Sequence, residues 1–333
     1  MTAPIPNIVR ASYVELTVTD LVRAKWFWVD VLGFVVTAEH DDALYLRGYE
    51  EAVHHSVLLR LGPQPAATCL AYRVWEPADL DRAETWYRER GCDVERRPAG
   101  ATLGIGPALR VLDPLGFPLE FFAENTRTER LNQRYELHRG GHIARIDHFN
   151  ICVDDAVRAY DYFESLGFRC SETIEDEEQG RLFAGWMHRK PSVHDVAFTF
   201  GTSPRLHHTG FFVPEQHYIS ALCDVFGATE YQHHIERGPG RHGVSNAFYV
   251  YLRDPDGHRI EIYTSDYFTG DPDEEPLRWS VHDMRRRDFW GASVVPTWYS
   301  EATDVLDLDG KVVPHRAVDT AASEATVGAD GLR

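Results

Sequence analysis

The sequence predicts an α+β fold in which one strand–helix–three-strand module is written four times, and three observations predict it. Tyr13-Val14-Glu15-Leu16-Thr17-Val18 alternates like a half-buried strand and is followed by an apolar stripe at helical spacing. The interval from Asp20 to Gly33 recurs between Asp154 and Gly167. The run Asp113-Pro114-Leu115-Gly116, with Glu120 beyond it, returns without a gap as Asp254-Pro255-Asp256-Gly257 with Glu261. Such self-similarity is the mark of a repeated architecture.

In the first module, Asp20 stands where an N-cap belongs, and Leu21, Ala24, Trp28 and Val31 share one helical face up to Gly33. Phe34–Thr37, Ala43–Leu46 and His55–Leu61 read as its three strands. The second module has a strand at Cys69–Val74, a helix at Pro77–Arg90 stopped by Gly91, and a hairpin closed by the Asp-Pro-Leu-Gly turn. A third opens with His148–Val153 and a helix over Asp155–Ser165. The fourth starts at His208, has a helix over Pro214–Phe226 ended by Gly227, and finishes on Tyr249–Tyr263. The boundaries are drawn at 1–138 for the first pair of modules, 139–270 for the second, and 271–333 for a following segment.

Apolar content of 43% supplies a packed core. A net charge of −18 argues against nucleic acid or an anionic membrane as partner, since both need basic surfaces. A small anionic substrate would need local arginines. Five cysteines without a Cys-x-x-Cys pair read as reduced, cytoplasmic thiols, and no signal peptide or membrane span is visible.

The second pair of modules carries two histidines and a carboxylate at matching places: His148, His208 and Glu261. A 2-His-1-carboxylate set fills one face of a metal's coordination sphere and leaves the other open. A lone strand histidine is more often a satisfied core residue, so the repeat carries this argument. In the first pair, Tyr13 stands for His148, roughly Leu70 for His208, and only Glu120 survives. One metal per chain is expected. His207 and His208 are neighbours on a strand and should face opposite ways, and the repeat position selects His208.

Four βαβββ units with these ligands resemble the vicinal oxygen chelate superfamily. The runs Glu236-Arg237-Gly238-Pro239-Gly240-Arg241-His242-Gly243, Ala184-Gly185-Trp186-Met187-His188-Arg189-Lys190, Val193-His194-Asp195 and Arg286-Arg287-Asp288-Phe289-Trp290-Gly291 are similar to the type I extradiol catechol dioxygenases, and within them to those that cleave homoprotocatechuate (3,4-dihydroxyphenylacetate). The resemblance spans roughly residues 10–310. It implies two open-barrel domains, Fe(II) or in some members Mn(II), a catechol and O2 as reactants, and a homotetramer.

It also implies roles. His194 corresponds to the acid–base histidine, against the plainer reading of a loop histidine paired to Asp195. Tyr251 would donate to a substrate oxygen, and Asn150, two residues beyond His148 on the same strand face, would sit by the oxygen site. Trp186 and His242 would line the pocket. Arg237 and Arg287 would meet the carboxylate of an arylacetate, with Gly238-Pro239-Gly240 holding Arg237 and His242 on a tight turn. Trp290–Trp298 would either cover the pocket or pack outside the barrel. Two alternatives are weighed: a glyoxalase-like isomerase, which lacks the His194, Tyr251 and His242 set, and a metal-free binding module, which lacks the ligand triad.

Overall fold

The structure, a computed structural model, describes residues 4–318. The first half runs β1 (Ile8–Val18), α1 (Leu21–Lys25), β2 (Val35–His40), β3 (Ala43–Arg47), β4 (Val57–Leu61), β5 (Ala66–Val74), α2 (Ala78–Arg88), β6 (Val94–Arg97), β7 (Ala108–Leu112) and β8 (Pro118–Phe122). The second repeats the order: β9 (Arg145–Val153), α3 (Ala156–Ser165), β10 (Arg169–Asp176), β11 (Arg181–His188), β12 (Val196–Phe200), β13 (Arg205–Phe212), α4 (Gln216–Ala228), β14 (Ile235–Arg241), β15 (Phe248–Arg253) and β16 (Arg259–Thr264). Four βαβββ modules are therefore present. After them come β17 (Leu277–Ser280), α5 (Thr297–Ser300) and β18 (Thr303–Asp304).

Each half makes one open sheet. The strand order of the first is β2-β3-β4-β1-β5-β8-β7-β6, and that of the second is β14-β15-β16-β13-β9-β12-β11-β10-β17, with β18 on β13. In both, the first strands of two modules pair antiparallel at the centre (β1 with β5, β9 with β13). Parallel partners flank them, β4 and β8 in one half and β12 and β16 in the other. This arrangement brings residues of β9, β13 and β16 to a common point. One apolar core joins the halves: Trp28 and Phe34 of the first half meet Phe211 edge-on, and Tyr72 meets Phe149.

The two Asp-Pro-x-Gly turns form as the sequence predicts. Asp113 accepts from the amides of Leu115 and Phe117, and Asp254 from those of Asp256 and His258. Gly116 and Gly257 take φ of +95° and +88°, which only glycine adopts freely.

Three expectations need correction. The first helix is α-helical only over Leu21–Lys25 and continues as a π-helix over Trp26–Val31. Its sister helix is capped by Asp155 rather than Asp154, so the stretch from cap to glycine is one residue longer in the first module. The wide turn absorbs that extra residue, as single-residue insertions in helices do, and lets Trp28 donate to Asp254 at 3.2 Å. Gly227 does not stop α4. The helix passes through it, and the left-handed residue is Glu230 at φ +64°. The segment after residue 270 is more than a tail, because β17 extends the second sheet beside β10 and β18 pairs with β13.

Candidate active site

His148 on β9, His208 on β13 and Glu261 on β16 converge. Gly210 lies opposite His148 across the central pair and opposite Glu261 on the other side, so register places the ligand types together. Gly210 is also required: a Cβ there would stand 2.1 Å from the His148 ring. His148 Nε2 lies 3.0 Å from Glu261 Oε2, His208 Nε2 3.3 Å from the same oxygen, and the two Nε2 atoms 3.4 Å from each other. Two imidazole nitrogens and one carboxylate oxygen thus form a compact, buried set of ligand-type atoms. Ligands about 2.1 Å from an octahedral ion stand about 3.0 Å apart, so the triangle fits one face of such an ion.

The ligand histidines are held from behind. Asp147 Oδ2 accepts from His148 Nδ1 at 3.1 Å, which leaves the Nε2 lone pair facing inward. Burial pushes the Asp147 carboxyl up, but the Lys190 ammonium and His148 hold it well below the usual carboxylate range. Asp147 is buried against Lys190, 3.6 Å away, and is an orienting group rather than a ligand.

Beside this triangle lies a single cavity. Asn150, Trp186, His194, His208, Arg237, His242, Tyr251, Arg287 and Glu261 all line it, and His148 lies behind. The structure therefore brings every site residue named from sequence to one place. His194, between β11 and β12, has its ring centroid 3.8 Å from that of His148, with the two planes tilted by 36°. It makes no pair with Asp195, which is taken by Lys190 and by the amides of Ala11, Arg189 and Lys190. Burial, then the neighbouring His148, pushes the His194 pKa well below its ordinary value. Its Nδ1 has no partner among the described residues.

Tyr251 Oη and His242 Nε2 are 2.9 Å apart, and His242 Nδ1 donates to the Arg287 carbonyl. Tyr251 is thus the donor of the pair. Arg237 Nη2 shares the Arg287 carbonyl at 2.8 Å, and its guanidinium lies 4.5 Å from the Trp298 ring. The Gly238–Pro239 stretch that carries Arg237 is a bulge in β14 between Arg237, opposite Tyr251, and Gly240, opposite Tyr249. Arg237 Nε, Arg286 Nε and Arg287 Nη1 are buried without an acceptor, and no carboxylate lies within salt-bridge distance of these three arginines among the described residues. Burial, then Arg287, pushes Arg286 down to about 10.

His207 does not behave as strand alternation predicts. A register shift between Leu206 and His208 breaks the alternation, and both rings are buried on the cavity side. The partner of His208 in the first half is also one place off. Ala71 is opposite both Tyr13 and Glu120, as Gly210 is opposite both His148 and Glu261, which makes Cys69, not Leu70, the counterpart of His208.

Sequence reasoning missed Asp147, His207, Gly210 and Arg286, and left Trp290–Trp298 open between covering the pocket and packing outside the barrel. Gly210, two residues after a candidate ligand, was the one detectable signal, since glycine inside a strand marks a close approach. Trp290 and Trp298 part company. Trp290 is 62% exposed over Phe248, whereas Trp298 closes the cavity against Tyr251 and His207, both 4.6 Å away by ring centroid.

The profile of the Glyoxalase/Bleomycin resistance protein/Dioxygenase superfamily matches residues 10–121 and 145–262, most of both repeated halves. The chain belongs to that superfamily. Among solved structures it is similar to homoprotocatechuate 2,3-dioxygenase of Brevibacterium fuscum in complex with 3,4-dihydroxyphenylacetate: 54% identity, TM-score 0.93, covering 95% of this chain and 99% of that one. The enzyme of the same name from Arthrobacter globiformis is 54% identical, with TM-score 0.93 over 96% and 98% of the two chains. A manganese-dependent 2,3-dihydroxybiphenyl 1,2-dioxygenase of Geobacillus genomosp. 3 is 29% identical over 85% of this chain and 94% of its own. No helix among the described residues is long and apolar enough to cross a membrane.

Proposed function

We propose that this member of the superfamily is an extradiol catechol dioxygenase acting on 3,4-dihydroxyphenylacetate. It opens the ring beside the diol, puts both atoms of O2 into the product, and releases 5-carboxymethyl-2-hydroxymuconate semialdehyde. The observation that carries the reading is the pairing of one small donor triangle with three unpaired arginines in the same cavity. A triangle alone fits many metal enzymes. Arginines without carboxylates, in a chain of net charge −18, fit an anionic arylacetate.

His148, His208 and Glu261 would hold Fe(II) or Mn(II). When bound, the ion brings catechol and O2 together and gives electrons a path between them. The protein's own groups do the rest. His194, neutral by burial, takes a catechol proton and later delivers it as the O–O bond breaks. Tyr251, whose single hydroxyl proton points to His242 here, would turn it to a substrate oxygen when catechol is bound. Asn150, whose Oδ1 is buried without a partner, faces the oxygen site. Trp186 forms the apolar wall with Val244, and Arg237 and Arg287 hold the acetate. Trp298 keeps water from the covered side. The same reading includes a homotetramer and, from five free thiols, a cytoplasmic location.

The test is oxygen uptake by iron-loaded protein with a panel of catechols, read together with the yellow ring-fission product. Uptake is expected to be fastest with 3,4-dihydroxyphenylacetate, and His194→Phe should lower turnover about 10²–10⁴-fold at unchanged metal content. No uptake with any catechol would sink the reading.

A further inference from the structure

We infer that His207 is a positioning residue: it fixes the tautomer of His208 and ties that ligand to the segment covering the cavity. The inference rests on the metal reading of His148, His208 and Glu261, and its test separates the two.

His207 Nδ1 and His208 Nδ1 are 2.7 Å apart, and His207 Nε2 is 3.0 Å from the Trp298 carbonyl oxygen. A neutral imidazole has one N–H and one lone pair. His208 turns Nε2 toward Glu261 and His148, where only a lone pair can serve a cation. Its proton is therefore on Nδ1, and the nitrogen facing it belongs to His207. His207 Nδ1 must accept, so His207 carries its own proton on Nε2. That nitrogen faces a carbonyl, which can only accept. One pattern satisfies both contacts, and the opposite one sets the His207 Nε2 lone pair against the Trp298 oxygen.

The strand bulge makes this chain possible, because a regular strand would send the two rings to opposite faces. Arg259 fixes both ends of it. It donates to the His207 carbonyl at 3.2 Å and to the carbonyls of Thr297 and Glu301, which bracket Trp298. The two ligand histidines are consequently supported in different ways. His148 leans on the Asp147 carboxylate, whereas His208 leans on a neutral imidazole anchored to the cavity's cover. Seating of Trp298 is thereby linked to the aim of His208 Nε2.

The test uses Mn(II) alone, titrated into metal-free chain against a fluorescent chelator. His207→Phe keeps a ring but accepts nothing, and is expected to weaken Mn(II) about 10–100-fold. His207→Asn puts Oδ1 near the place of Nδ1, accepts from His208, and is expected to recover most of that loss. Equal affinity of wild type and His207→Phe, or equal losses in both variants, would overturn the inference. A second measurement needs no variant: ring ¹⁵N shifts of the wild-type chain with Zn(II) should report His208 protonated at Nδ1 and His207 at Nε2, and the reverse assignment overturns it. Wild-type chain that binds no Mn(II) would instead remove the metal reading beneath it.

Discussion

The two halves of this chain share a frame and differ at its centre. Register sets Tyr13 against His148, Cys69 against His208, Glu120 against Glu261, Glu15 against Asn150 and Arg110 against Tyr251. Even His194 has a counterpart. His55 precedes β4 as His194 precedes β12, and its ring lies 4.7 Å from Tyr13 as that of His194 lies against His148. In the first half the centre closes on itself. Arg110 donates to Glu120 at 2.7 Å and to Glu15 at 2.6 Å, Arg60 holds the other oxygen of Glu15 at 2.7 Å, and the Tyr13 hydroxyl donates to Glu120. In the second half Glu261 meets the imidazoles of His148, His208 and His242 and the Tyr251 hydroxyl, with no lysine or arginine paired to it among the described residues, and is left for a cation from outside. A guanidinium in place of a tyrosine fills the charge that a metal would fill. The first half therefore leaves no buried unpaired carboxylate at this point, whose desolvation would be costly.

The largest effect expected from copying one half onto the other is His148→Tyr, which rebuilds Tyr13. It removes one ligand nitrogen and offers Glu261 a hydroxyl donor. Metal content measured after iron loading should fall to background and turnover by at least about 10³-fold. The metal-free variant should fold, since Tyr13 is accommodated in the same frame. Retained iron and retained turnover would break the comparison.

Much of this was legible in the sequence, for reasons visible at particular residues. The repeat of Asp-Pro-x-Gly with a glutamate fixed in register exposed Glu120 and Glu261, because a tight turn permits no slippage. His148 and Asn150 were readable by strand alternation on β9. The same rule misdirected the argument at His207, since a bulge between Leu206 and His208 leaves no mark in residue type. Arg286 was hidden in Arg285-Arg286-Arg287, where Arg285 is an exposed partner of Asp283 and Arg286 is 2% exposed. Only tertiary burial distinguishes them. The π-turn was concealed because Asp154, beside the true cap Asp155, made the two intervals look equal.

A smaller effect concerns Arg237, Arg286 and Arg287, which, unlike Arg110 and Arg97 beside Glu120, pair with no carboxylate among the described residues. Arg287→Ala removes a guanidinium with an unpaired Nη1, so the acetate of 3,4-dihydroxyphenylacetate loses a charge-assisted contact of about 1.5–3 kcal/mol. KM should rise about 10–100-fold for that substrate and less than about 3-fold for 4-methylcatechol, which has no carboxylate to lose. Equal changes for both would show that Arg287 shapes the cavity without reading charge. Arg286, pushed down to about 10 by burial, would then be the remaining cation to test.

The smallest effect lies where the second half carries a clamp that the first lacks. Glu236 accepts from Arg259 at 2.6 and 2.9 Å, from Arg253 at 2.7 Å and from Thr297 at 2.6 Å, joining β14 and β16 to α5. Pro118 occupies the place of Arg259 in the first half, so no such clamp forms there. Burial pushes the Glu236 carboxyl up, but Arg259 and Arg253 pull it down to about 2, from 4.5 when unpaired. A depressed acid stabilises the fold fully above pH 4.5 and loses that contribution as pH falls toward 2. The melting temperature of Glu236→Gln should lie a few degrees below wild type at pH 7, with the gap constant down to about pH 4.5 and closing below it. A gap that stays constant to pH 3 would mean that Glu236 supports the fold through shape and hydrogen-bond geometry rather than through its charge.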